Sequence, residues 1–167
     1  MAYPTLNGVS QSWADLVATC PIYGGLSIDA EDIKDISWKR TLEQGEQRKT
    51  GGQLKAKTAG QAGYEASITW YASGYWKMIA ALGAAAQAGG YVVDGEVELS
   101  KIGWDVVVQH RPEGIDKPRK VEILGCQWTE DGSDMSEGTD SDTMATNPSP
   151  RRIVTTDENG IRAVLKG

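Results

Sequence analysis

Few side chains in this chain have a type and spacing that would do chemistry, and their neighbours argue against catalysis in each case. His110 is the single histidine among 167 residues, so Cys/His metal clusters and a Ser-His-Asp triad are not available anywhere else in the chain. Beside Arg111 and Pro112, at the end of a strand-like run, it reads as a surface residue. Cys20 and Cys126 lack a close-spaced partner and read as two buried thiols, with a disulfide between them left open. Gly51-Gly52 followed by Lys55 and Lys57 invites a phosphate-cradle reading. GGQLKAKT, however, lacks the G-x-x-x-x-G-K-S/T spacing, and nothing marks a helix start after it. Six carboxylates crowd residues 130–142 with no base among them: Glu130, Asp131, Asp134, Glu137, Asp140 and Asp142. Their spacing departs from an EF-hand loop, so a solvated acidic loop is the better reading. Nothing selects a carboxylate pair for glycoside hydrolysis. Trp13, Trp38, Trp70, Trp76, Trp104 and Trp128 offer aromatic faces for sugar stacking, but several fall at in-facing positions, which favours core packing. The expectation is a protein that is not an enzyme, with no catalytic residue, no metal ligand and no cofactor.

The elements that would carry these residues read as mainly β. Strand-like runs occur at 13–20, 22–28, 32–41, 64–71, 102–110, 120–129 and 153–156, with a Glu158-Asn159-Gly160-Ile161 hairpin turn near the end. In the run at 120–129, alternation places Leu124, Cys126 and Trp128 on one face and Val121 and Ile123 on the other. Residues 1–12 read as an extended N-terminal arm, and 130–150 as an acidic, proline-containing loop. One helix is expected at about 74–88. Ser73 is its candidate N-cap, Tyr75, Met78, Ile79, Leu82 and Ala86 form its buried stripe, and Gly89-Gly90 ends it.

The most unusual stretch lies between the runs at 32–41 and 64–71. Residues 43–63 are polar and carry Gly45, Gly51, Gly52, Gly60 and Gly63 together with Arg48, Lys49, Lys55 and Lys57. A connection of that length inside a compact domain is either functional or disordered. It reads as a long hairpin loop protruding between two antiparallel strands.

Composition narrows the class. A single domain of 18.0 kDa with 40% hydrophobic residues can bury a full core. A formal net charge of −6 argues against general nucleic-acid affinity, which needs a basic patch. No segment has the apolar length to span a bilayer, and the first residues lack the features of a secretory signal.

Taken together, residues 32–82 (DIKDISWKRTLEQGEQRKTGGQLKAKTAGQAGYEASITWYASGYWKMIAAL) resemble the tail tube, or major tail, proteins of tailed bacteriophages. The parts that carry the likeness are an I-x-x-I strand at 33–36, the charged glycine-bearing arm at 43–57, Thr-x-Gly-Gln at 58–61, the strand at 65–71 and the helix at 75–82. PTLNGVSQSWADL near the start is similar to the family's N-terminal segment, and Gly125-Cys126, Glu137-Gly138-Thr139 and Asn159-Gly160 are weaker echoes.

That resemblance implies a β-sandwich or barrel flanked by one helix, and a structural subunit that self-assembles into stacked hexameric rings around a channel for DNA. Glu43, Gly45, Arg48, Lys49, Gly51, Gly52, Lys55 and Lys57 become candidates for an inter-ring contact. Glu130, Asp131, Asp134, Glu137, Asp140 and Asp142 become the acidic surface that contact would meet. The implied partners are further copies of the chain, a terminator, a baseplate or tip, a tape measure, and a sheath if the tail contracts. DNA would pass through without specific binding, helped by an acidic lumen, and no membrane is involved. The implied location is the virion tail, after synthesis in the host cytoplasm. Two alternatives stand beside this reading: a monomeric carbohydrate-binding β-sandwich, and a related ring-forming tail terminator or baseplate hub protein.

Overall fold

The computed structural model describes residues 5–6, 9–10, 16–23, 28–29, 33–110, 117–133 and 142–165. Trp13, Gly24-Gly25, residues 111–116 of the turn-rich connection, and Asp134, Glu137 and Asp140 lie outside the described residues. In chain order the strands are β1 (Thr5–Leu6), β2 (Val9–Ser10), β3 (Leu16–Cys20), β4 (Ile28–Asp29), β5 (Ile33–Arg48) and β6 (Leu54–Tyr71). Helix α1 (Ala72–Ala88) follows. The remainder are β7 (Val92–Val93), β8 (Glu96–Val97), β9 (Trp104–His110), β10 (Arg119–Cys126), β11 (Asp131–Ser133), β12 (Thr143–Thr146), β13 (Arg152–Thr156) and β14 (Arg162–Ala163).

Two antiparallel sheets and the helix share one core. The six-stranded sheet has the order β14-β13-β10-β9-β3-β4, and the four-stranded sheet the order β11-β12-β6-β5. Between them lie Cys20, Trp104, Val106, Ile123, Cys126 and Ile153 from the first sheet, with Ile33, Ile68 and Trp70 from the second. The alternation of β6 explains its placement. Ala66, Ile68 and Trp70 are buried, while the intervening Glu65 is exposed and Ser67 and Thr69 are half-buried. The indole N–H of Trp70 donates to Thr146 Oγ1 at 3.0 Å, so this buried polar atom is satisfied. Among the described residues, Trp104 Nε1 is a buried donor with no partner.

Helix α1 continues from β6 without a loop. Met78, Leu82 and Ala86 are fully buried, and Tyr75 and Ile79 pack partly against the core, as the 3.6-residue spacing predicts. Each of the long apolar side chains contributes on the order of 1.5–3 kcal/mol by burial. The expected N-cap at Ser73 is incorrect. Tyr71 occupies that position with no side-chain cap, and Ser73 lies exposed inside the first turn. The reason is non-local: the Ala72 N–H donates to the carbonyl of Asp142 at 3.2 Å, an acceptor brought in by β12. The helix C-terminus follows expectation. Gly90 takes φ +79°, Tyr91 N–H reaches the Ala86 carbonyl at 2.9 Å, and Gly90 N–H reaches Gln87 at 3.1 Å, the two bonds of a Schellman motif.

Three further departures from simple alternation matter. In β10, Ile123 and Cys126 are both buried, whereas alternation assigns them to opposite faces. The register against β9 shifts between them, and Gly125 sits there at φ +66°. This β-bulge turns Cys126 inward and carries the partly exposed Leu124 out of the set that alternation gave it. The acidic stretch is bounded by paired strands, not a plain loop: Asp131↔Thr146 and Ser133↔Met144 join β11 to β12. Between Val93 and Glu96, Asp94 (φ 53°) and Gly95 (φ 81°) form the two-residue turn of a small hairpin that hydrophobic periodicity does not reveal.

Both cysteines are buried free thiols, and burial pushes each up to about 12. Thiolate is therefore scarce at neutral pH, and access is blocked as well. A thiol reagent at pH 8 is expected to leave the native protein unmodified and to label 2 thiols per chain after unfolding without reductant. Rapid native labelling at either position would contradict this placement.

Candidate assembly surface

The stretch expected as a loop at 43–63 is instead a continuous two-stranded ribbon. β5 and β6 remain paired out to Arg48↔Leu54, far beyond the last rung with half-buried residues, Leu42↔Ala62. The turn at the tip closes through Lys49 N–H to the Gln53 carbonyl at 2.8 Å and Gly52 N–H to the Lys49 carbonyl at 3.0 Å. Gly51 at φ +96° and Gly52 at φ +84° supply the left-handed backbone it needs. Gly45 and Gly60 serve close approach: an added Cβ would lie 2.6 Å from Thr58 Oγ1 and 2.8 Å from the Glu43 carbonyl oxygen, respectively.

Among the described residues, charge on the ribbon is largely unpaired. Arg48 bridges Glu46 at 2.9 Å and donates to the Gly52 carbonyl at 3.2 Å, which stiffens the tip. Among the described residues, no ion pair links Arg48, Lys49, Lys55 or Lys57 to Glu130, Asp131 or Asp142. Geometry explains this. Asp142 adjoins the Tyr71↔Thr143 rung, and Lys57 is fourteen residues back along β6, about 45 Å of strand at about 3.3 Å per residue. The sequence-predicted basic and acidic residues are thus not brought together inside one molecule.

The acidic surface is also less free than its composition suggests. Asp131 accepts from the Tyr75 hydroxyl at 2.6 Å and from Trp128 Nε1 at 3.2 Å. Burial, reinforced by that carboxylate, raises Tyr75 to about 12, so it remains a hydroxyl donor at physiological pH. Glu130 is exposed and uses its backbone carbonyl to accept from Asn147 N–H at 3.0 Å.

The ribbon's root is tied to the other sheet, a feature that local sequence does not reveal. Arg40 and Tyr64 face each other on one rung. Arg40 donates to the Ala163 carbonyl at 3.0 Å and to Thr155 Oγ1 at 3.3 Å, and Tyr64 donates to the Leu165 carbonyl at 2.5 Å. Arg40 also stacks over Trp38 at 5.1 Å. One rung therefore clamps the last described residues against the arm's base. Beyond it, among the described residues, the outer edge of β5 has no strand partner, and the edge of β6 away from β5 has none before Ile68, where β12 pairs.

Two concavities among the described residues are shallow. A trough of about 540 Å³ lies beside Ser37, Lys39, Glu65 and Pro148, and one of about 380 Å³ beside Thr69, Glu130 and Thr143. Among the described residues, no hydrogen bond joins a lining Ser or Thr hydroxyl to a lining carboxylate or lysine in either. Among the described residues there is no cluster of three or more His, Cys, Asp or Glu side chains suited to a metal ion. No described helix is long and apolar enough to cross a membrane. Of the described tryptophans, Trp70, Trp104 and Trp128 are in the core, while Trp38 on β5 and Trp76 on α1 are exposed.

No family model and no curated protein sequence matches the chain. Solved structures do share its fold over nearly the full length. A chain of the anti-feeding prophage (AFP) baseplate, 6-fold symmetrised, has a TM-score of 0.60 at 11% identity, covering 95% of this chain and 99% of that one. A chain of the PVC sheath/tube terminator in its extended state, from an extracellular contractile injection system, has a TM-score of 0.59 at 12% identity, covering 93% and 99%. A chain of the AFP tube terminating cap has a TM-score of 0.59 at 12% identity, covering 93% of each chain. At such identities the likeness establishes a shared fold, one that is tail-tube-like and recurs in contractile injection systems.

Proposed function

We propose that the protein is a non-enzymatic, ring-forming structural subunit of a phage-tail-like injection machine, placed in a ring at an end of the tube. The observation that carries this reading is the arm. A long exposed ribbon with open backbone edges stands on a sandwich whose own core is already complete. An isolated two-stranded ribbon is marginal in water, and an uncovered edge invites pairing, so both features fit a subunit completed by its neighbours. A head-to-tail interface that closes by rotation makes a ring. Placement at a tube end, as a terminator, cap or baseplate ring, draws support from the terminator, cap and baseplate particles in which the fold recurs. The partners would be further copies of the chain and adjoining tail proteins, with cargo or DNA passing through the ring unbound. Scattered tryptophans, three of them in the core, do not favour the carbohydrate-binding alternative.

Negative-stain microscopy with mass measurement of the purified chain tests this. Closed rings roughly 100 Å across are expected from several domains of this size. Long tubes would make the chain a tube-shaft subunit instead, and a strict monomer at high concentration would overturn the ring-forming reading.

A further inference from the structure

We infer that the arm docks on a second copy of the chain through its uncharged face, while its charged face stays toward solvent. The inference rests on the ring-forming reading and specifies the contact. Register sorts the ribbon into two faces. Glu46 opposes Lys57, and Arg48 bridges Glu46, so these three share one face. Gly45 opposes Thr58 and Gln47 opposes Ala56, so the other face is small and neutral.

A bulge creates this separation. The register steps from Leu42↔Ala62 to Gln44↔Ala59, which inserts one extra residue in β6 beside Gly60. Without that step, Lys57 would share a face with Gly45 and Gln47. The neutral face also continues the outward face of the four-stranded sheet, where Ser37 opposes Ser67, Thr41 opposes Gly63, and Lys39 opposes Glu65. From Ser37 to Gln47 on β5 and from Ser67 to Ala56 on β6, alternation gives that stripe small side chains, a matched charge pair, Gln47, Gln61 and Glu43.

Two arguments choose between the faces and name the occupant. Burying Lys57, Arg48 and Glu46 would strip water from three charges, whereas covering Gly45, Gln47, Ala56 and Thr58 strips it from none. The occupant is a second copy because of charge balance. Residues 43–57 hold two acids and four bases, a net +2, on a chain of −6, which leaves −8 on the remainder. A basic arm and an acidic body attract head to tail. That attraction acts through the thin ribbon whichever face is in contact, so it steers the approach without deciding the contact.

Two double variants of the full chain separate these effects, because each lowers the arm's charge by two. Gln47→Glu with Ala56→Glu loads the neutral face, and Arg48→Gln with Lys57→Gln strips the charged face. The expected result is that the first raises the concentration for self-association by more than tenfold at both low and 0.5 M salt, while the second matches the parent at 0.5 M salt. A photo-crosslinking residue at position 56 should join two copies, and one at position 57 should not. Equal effects of the two variants, or cross-linking from position 57, would overturn the inference. A parent chain that never associates would instead overturn the ring-forming reading, and this inference with it.

Discussion

Replacing residues 46–57 with Asn-Gly is expected to leave a folded subunit that no longer self-associates at the parent's working concentrations. The Gly45↔Thr58 rung then becomes the last one, and a two-residue Asn-Gly turn closes it with the twist an antiparallel pair needs. Every removed residue is exposed, so the core between the sheets loses nothing. Arg40 and Tyr64 still hold the root against Ala163 and Leu165. The thermal midpoint of the dilute monomer should therefore shift by no more than a few degrees, the scale of surface changes. Self-association should weaken by more than tenfold, at least about 1.4 kcal/mol. That is beyond what one exposed ion pair supplies, about 0–1 kcal/mol, so the loss would mark a docked ribbon and not a charge contact alone. Sedimentation of both proteins over the same concentration range reads the outcome. Rings or filaments from the shortened chain at parental concentrations would refute the arm's role in assembly.

The arm shows where local sequence is informative and where it stops. Its position and exposure follow from polarity, from glycine content and from the strands on either side. Its form does not, because glycine is normally depleted in strands. Here Gly45 sits on a rung and Gly60 in the bulge, each where the opposite strand comes within 3 Å of a would-be Cβ, a requirement visible only once Thr58 and Glu43 are in place. Helix α1 was legible because its period is self-contained, whereas its first residue depends on the distant Asp142 carbonyl. Asp131 similarly reads as one more solvated acid until Tyr75 and Trp128 are seen donating to it. The Arg40–Tyr64 clamp joins residues more than a hundred positions apart, so no window of sequence contains it.

Gly125 turns the same lesson into the largest single-residue effect on stability expected here. Alternation places Ile123 and Cys126 on opposite faces, yet both are 0% exposed. The chain resolves the conflict with a bulge that requires φ +66° at Gly125. Its N–H is held by Asp105 Oδ1 at 2.9 Å, and the same oxygen accepts from the Tyr23 hydroxyl at 2.5 Å. Valine at 125 would meet two penalties. A β-branched residue is strained in the left-handed region, and its Cβ would lie 3.0 Å from Arg151 Cβ, Cγ and Cδ. Straightening the strand to relieve that strain would swing Cys126 and Trp128 out of the core, at a greater cost in buried apolar surface. Gly125→Val is therefore expected to destabilise the monomer by about 2–3 kcal/mol, and Gly125→Asn by less, because asparagine tolerates this backbone region. Denaturant melts compare the two. Both side chains meet Arg151, so a valine variant as stable as the asparagine one would mean that backbone conformation does not govern this bulge, and the account of how Ile123 and Cys126 share a face would fail.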